Sequence, residues 1–284
     1  MLTDILEVVK RLARSFTVEH AICLVGMAFF AGWLVRTSLG RESLIASKPR
    51  RNSVPTYVPF IVLFVWFTFA FVIRSAAVAI FGELSGLKAD FQDNIIQSIN
   101  SLLIAVVTII LAGATFARRL KGFGLNPRTL LRDFAMAAVN LLTVWPVLLA
   151  MVVLTTLLGK LIYGPQFEMQ QHAELQLITE SSSVSLRVLI CVLAVAVAPV
   201  VEELIFRGIV QTVIRSYVVR PWPAIIASSI VFAAAHENVE HWPALFVLAM
   251  CLGYAYERSG SLFRPIFIHA LFNGVTIAAA LSQQ

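Results

Sequence analysis

The chain has 284 residues, 59% of them hydrophobic and only 13% charged, with a mean hydropathy of +0.85. So apolar a composition excludes a water-soluble globule. The net charge of +6 and the pI near 9.5 come from Lys and Arg beside apolar runs. No nucleic-acid motif accompanies them, so anionic lipid is the expected partner and nucleic acid is not.

Residues 2–16 are amphipathic, with Ile5, Val9, Leu12 and Phe16 on one face and Lys10, Arg11 and Arg14 elsewhere. Such a helix would lie on an anionic membrane surface. Asp4 and Glu7 stand where a cleavable signal peptide needs basic residues, so none is expected. Apolar stretches follow near 18–35, 55–81, 95–117 and 134–159, then near 184–206, 222–236, 242–257 and 263–281. They predict an all-α, polytopic membrane helix bundle of about eight transmembrane helices, with seven as the alternative. Stretch 222–236 is short for a span and is expected to be shielded by protein.

The polar stretch Gly164–Ser183 separates an N-terminal membrane region, 1–170, from a C-terminal domain, 180–280. Asn126-Pro127 reads as an N-cap and first-turn proline that start an interfacial helix before the fourth span. Gly26 and Ala31-Gly32 mark close helix packing. Cys23, Cys191 and Cys251 fall in apolar runs and read as small hydrophobes without disulfides. Arg74 lies near the end of its span, where snorkelling suffices.

Alternate loops are basic. Arg36, Arg41, Lys48, Arg50 and Arg51 follow the first span, and Arg118, Arg119, Lys121, Arg128 and Arg132 follow the third. Arg215, Arg220, Arg258 and Arg264 come later in the same phase. Positive-inside reasoning places these loops in the cytoplasm and the N-terminus outside. The basic helix at 2–16 pulls the other way, and the two larger clusters outweigh it.

Ionisable groups at membrane depth are costly and usually functional. Val200-Val-Glu-Glu-Leu-Ile-Phe-Arg207 puts two carboxylates and an arginine at the end of an apolar run. Glu203 and Arg207 are i,i+4 with the acid first, the favourable order for a pair. Glu202 points about 100° away and has no local cation. Phe232-Ala-Ala-Ala-His236 and His269-Ala-Leu-Phe-Asn273 follow on later apolar segments, and His269 and Asn273 share a face. Singly, each could be a packing or interhelical hydrogen-bonding residue; together they suggest a site. His236-Glu-Asn-Val-Glu-His241 is one residue too long for the zinc motif H-E-x-x-H, so its histidines diverge on a helix.

Glu-Glu-x-x-x-Arg, Phe-x-x-x-His and His-x-x-x-Asn, in this order and with Phe-Arg-Gly after the acids, resemble the CAAX protease and bacteriocin-processing (CPBP) family. That family includes the type II CAAX prenyl endopeptidases and the lysostaphin-resistance-like proteins. The resemblance covers residues 184–278 or so, about a third of the chain. It implies a glutamate-dependent intramembrane endopeptidase with no required metal or cofactor. The substrate would be a hydrophobic or lipid-modified peptide, and the setting a bacterial plasma membrane.

No Ser, Thr or Cys of these motifs stands as a nucleophile, so an activated water is needed. Glu202, desolvated among Val200, Val201 and Ile205, would be a stronger base than in bulk water. The resemblance implies that His236 shares the water or passes on its proton, and that His269 and Asn273 hold the oxyanion. Glu203 and Arg207 would order the helix end. A Glu/His/His zinc site remains open. The competing readings are a noncatalytic immunity or scaffold protein of the same fold, and a transporter. The latter is disfavoured because no paired half-sequence repeats are evident. Alternating spans place His236 at the far end of its helix from Glu202, so a tilted or half-depth helix is required.

Overall fold

The computed structural model describes residues 17–282; the amphipathic pattern at 2–16 lies outside the described residues. Among these there are helices and turns and no strand. The helices are α1 (Val18–Arg36), α2 (Val58–Phe81), α3 (Leu87–Thr115), α4 (Arg119–Phe123) and α5 (Leu130–Tyr163). After them come α6 (Ala173–Glu180), α7 (Val184–Tyr217), α8 (Pro221–Ala234), α9 (Trp242–Ser259) and α10 (Phe263–Leu281).

Each apolar stretch read from the sequence becomes a helix. Among the described residues six helices are long and apolar enough to cross a membrane: α1, α2, α3, α5, α7 and α10. Helix α8 has 14 residues, about 21 Å of rise, and falls short of a span as its length foretold. Helix α9 has 18 residues and carries Glu257 and Arg258 in its last turn. The outward faces are apolar, as a lipid solvent requires. On α2, Phe60, Phe64, Phe67 and Phe71 form an exposed stripe. The protein is an integral, multi-pass membrane protein.

Helix α7 is the centre of the bundle. Helices α2, α3, α8, α9 and α10 all pack on it, and α5 closes the far side against α1, α9 and α10. Every residue from Leu204 to Gln211 is buried. Ile205, Phe206 and Val201 pack against Phe232 and Ala249, while Ile209 and Leu204 meet Phe116, Phe123 and Tyr256. Gly26 behaves as expected: a Cβ there would strike the Leu142 carbonyl and Pro146 of α5. Gly32 does not, for nothing lies within 4 Å of its Cβ position.

Asn126-Pro127 starts no separate interfacial helix. Pro127–Thr129 is a single 3-10 turn leading directly into α5, because a first-turn proline is compatible with the long helix it opens. Arg74 has a partner, Asp93, at 3.5 Å. Arg264 sits in the first turn of α10, buried against Asp133 at 3.0 Å.

The basic loops gather at one end of the bundle. Asn52 and Phe116 form an isolated antiparallel bridge, and Arg50 and Arg215 each approach Glu257 at 3.9 Å. At the opposite end His241 Nε2 donates to the Gln170 carbonyl at 2.8 Å, and the His172 and His241 rings stack at 4.3 Å. The two ends therefore differ in charge. In a background lacking the native cysteines, Arg118→Cys is expected to be shielded from a membrane-impermeant maleimide added to intact cells, and Glu237→Cys to be labelled. The reverse pattern would invert the positive-inside orientation.

Candidate functional site

Helix α7 is not a uniform α-helix. Its turns widen to π geometry at Leu193–Val197 and again at Leu204–Gln211, flanking the short α-helical segment Ala198–Glu203 that carries both acids. Pro199 explains the first widening: it cannot donate to the carbonyl four residues back, and its ring crowds that carbonyl. Irregular turns expose carbonyls that lipid cannot satisfy, so side chains of α7 itself or of neighbouring helices must. Asn273 Nδ2 donates to the Ala194 carbonyl at 2.7 Å. Ser228 Oγ donates to the Phe206 carbonyl at 2.9 Å, and Thr212 Oγ1 to the Arg207 carbonyl at 3.1 Å. Such π turns often accompany functional sites.

Glu203 and Arg207 form the expected pair, with Arg207 Nη1 donating to Glu203 Oε1 at 2.7 Å. Both are buried. Arg207 Nη2 donates to the Ala249 carbonyl of α9 at 3.2 Å, and the guanidinium lies 4.5 Å over the Phe232 ring of α8. His269 Nδ1 lies 3.2 Å from Glu203 Oε1. A carboxylate paired with Arg only accepts, so this nitrogen carries a proton and donates to Glu203.

Glu202 has a different setting. Its Oε2 is buried without a hydrogen-bond partner among the described residues, 3.9 Å from His269 Nε2. That gap is too long for a hydrogen bond. Of the apolar neighbours expected round it, Val201 and Ile205 are buried, and Val200, 37% exposed, faces outward. His236 follows the end of α8, with Nδ1 at 2.9 Å from the Phe232 carbonyl. A carbonyl cannot donate, so Nδ1 carries the proton and Nε2 is left basic. Trp242 Nε1 donates to the His236 carbonyl at 2.9 Å and fixes this turn.

Glu202 and His236 line one cavity of about 470 Å³, walled also by Trp66, Asn100, His172 and Asn238. It opens at the end of the bundle opposite the basic loops. The short α8 ends after 14 residues, and the turn that follows it sets His236 in the cavity wall. His269 reaches Glu202 from behind, from α10. Asn273 lines no part of this cavity and is turned onto the α7 backbone.

Asn100 and His172 were not singled out from the sequence. Asn100 Nδ2 donates to the Trp66 carbonyl at 3.1 Å, while its Oδ1 is buried without a partner among the described residues. A polar side chain inside the apolar run 95–117 was the available signal. His172 caps α6 in a loop with no motif. Burial, then the nearby His241, hold it below the usual histidine value of 6.5. The stability of its neutral form is therefore complete above that pH and lost as pH falls through the lowered value. Among the described residues, no three His, Cys, Asp or Glu side chains are grouped to hold a metal ion.

A family model described as type II CAAX prenyl endopeptidase Rce1-like matches residues 184–275. An Escherichia coli relative, an uncharacterized 24.3 kDa protein, is 37% identical over 76 residues, covering 25% of this chain and 35% of that one. The alignment thus spans about a third of the relative's length. No solved structure matches the chain.

The two acids should separate by stability. Glu203→Gln strands Arg207 in a dry site and is expected to destabilise by about 3–5 kcal/mol, lowering the melting temperature in detergent. Glu202→Gln removes no bond and should leave it unchanged. Equal melting temperatures for both variants would show the pairing to be misassigned. Gly208→Ala tests packing, because a Cβ there would enter the Phe123 ring. It should cost about 1–3 kcal/mol, and Phe123→Leu in the same chain should recover part of the loss.

Proposed function

We propose, for a chain whose residues 184–275 belong to the Rce1-like family of type II CAAX prenyl endopeptidases, that the cavity beside Glu202 is the active site of an intramembrane endopeptidase. One observation carries the reading: Glu202, half-buried and without a hydrogen-bond partner or cation among the described residues, stands at the wall of a polar cavity shared with His236. Its twin Glu203 is consumed by Arg207. An enzyme that hydrolyses a peptide without a side-chain nucleophile needs such an uncommitted base.

In this scheme a water sits between Glu202 and the histidines. Glu202 takes one of its protons as the oxygen adds to the scissile carbonyl. The tetrahedral intermediate then expels the amine, which receives that proton directly or through His236 Nε2. The second water proton stays on the new carboxyl group and passes to the amine on release, so the products leave as a carboxylate and an ammonium, and the base is regenerated. His269 holds its Nε2 towards Glu202 and, when protonated there, donates to the developing charge. Asn273 acts as a positioning residue: by holding the Ala194 carbonyl it fixes the π turn that aims the acids. No metal or other cofactor takes part.

The substrate class follows from the surroundings. A cavity bounded by Trp66 and Phe67 and set among lipid-facing helices suits a hydrophobic or lipid-modified peptide held in the membrane. A prenylated C-terminal CAAX segment, the chemistry in the family's description, is the first to test. The bacterial relative favours a bacterial plasma membrane.

Purified protein in nanodiscs, given a farnesylated CAAX peptide, is expected to cleave it. Glu202→Gln and His236→Ala should each lose about 10²–10⁴-fold in kcat. Asn273→Ala should lose activity together with melting temperature. Strong chelators should leave the rate unchanged, and elemental analysis should find no stoichiometric zinc. About one zinc per chain, lost together with activity in the Glu202 and His236 variants, would overturn the metal-free mechanism.

A further inference from the structure

The basic end of the bundle holds a second cavity, of about 730 Å³, within the range of small-molecule sites. Its walls come from the α1–α2 loop, the turn after α3, α4, and the end of α9. These lie at the ends of membrane-crossing helices, the level of lipid headgroups. Glu257 is the one carboxylate among the described lining residues, and its charge is already answered. Ser47 Oγ donates to it at 2.6 Å and Gln211 Nε2 at 3.3 Å. Arg50 and Arg215 each lie 3.9 Å away, with Arg50 further pinned 3.5 Å over the Tyr256 ring.

Five more cations line the same cavity: Lys48, Arg51, Arg118, Lys121 and Arg258. None has an ion pair among the described residues, and all are exposed. Like charges converging on one concavity repel each other unless an anion joins them. Arg forks match phosphate bidentately, and a multivalent oxyanion suits several cations at once.

We propose that this cavity is a binding site for a phosphate-bearing anion, at the opposite end of the bundle from the Glu202 cavity and independent of it. The phosphate can come from the headgroup of an anionic phospholipid in the adjoining leaflet or from a soluble phosphate compound. Its floor, Glu257, is bonded to Gln211, the last residue of the second π turn.

The test uses the full-length protein in nanodiscs of phosphatidylcholine with or without phosphatidylglycerol of matched chains, with thermal unfolding and native mass spectrometry as the readouts. Wild type should retain phosphatidylglycerol over phosphatidylcholine and melt higher with it. The triple variant Arg118→Gln, Lys121→Gln, Arg258→Gln should bind it about a hundredfold more weakly, one factor for each lost charge near the surface. Lys160→Gln, at the other end, should bind as wild type does. If the triple variant does not fold, Arg258→Gln alone should give a smaller loss in the same direction. Stabilisation by inorganic pyrophosphate at matched ionic strength, with none by phosphatidylglycerol, assigns the site to a soluble phosphate compound. Equal retention of the two lipids, with no pyrophosphate effect that the triple variant abolishes, overturns the proposal.

Discussion

The Glu203–Arg207 ion pair is the point at which the four C-terminal helices meet. Burying two charges costs several kcal/mol each unless their remaining donors and acceptors find partners. Here most partners come from different helices: the Ala249 carbonyl from α9, the Phe232 ring from α8 and the His269 ring from α10, while Glu203 Oε2 and Arg207 Nε have none among the described residues. None of these contacts can form until those helices have packed on α7, so the penalty is offset only in the assembled bundle. A charge that is tolerable in one arrangement alone selects that arrangement. The same pair holds Glu203 away from any reaction and leaves Glu202 uncommitted on the neighbouring face.

The π turns give the acids their direction. Each widened turn adds a residue to the local period and rotates the next stretch of helix relative to a regular one. Glu202 thus faces the cavity while Val200 faces lipid. The displaced carbonyls are covered by Asn273, Ser228 and Thr212, all short polar residues in otherwise apolar segments. In a membrane such residues are often taken as lining for a polar path. Here they patch backbone, and the path runs elsewhere, between α2, α3 and the loops at the far end.

Much of this was legible because it depends on local spacing. The apolar stretches, the i,i+4 order of Glu203 and Arg207, and the close contact at Gly26 with α5 follow from periodicity and side-chain size. The shortness of 222–236 forecast a helix too short to span, whose end carries His236. The features that were not legible depend on through-space partners. Nothing in His269-Ala-Leu-Phe-Asn273 says that the two polar residues diverge in purpose, one to the carboxylates and one to the α7 backbone. The convergence of Asn100 and His172 on the cavity requires the packing of α3 and α6. Asn126-Pro127 misled for a local reason: a first-turn proline marks where a helix begins and carries no information about where it ends.

The length of α8 has a further consequence for the bilayer. About 21 Å of helix faces a hydrocarbon layer of about 30 Å, so the turn at Ala235–Asn238 lies roughly 9 Å beneath the level that a full span would reach. Thinning of the bilayer is one way in which such a mismatch is accommodated. A peptide bond anchored near the headgroups then meets the cavity at its own depth, without being pulled into the hydrocarbon. Acyl-chain length becomes a control on this: a bilayer a few Å thicker submerges the rim, and the wetness of the cavity changes with no change in the protein itself.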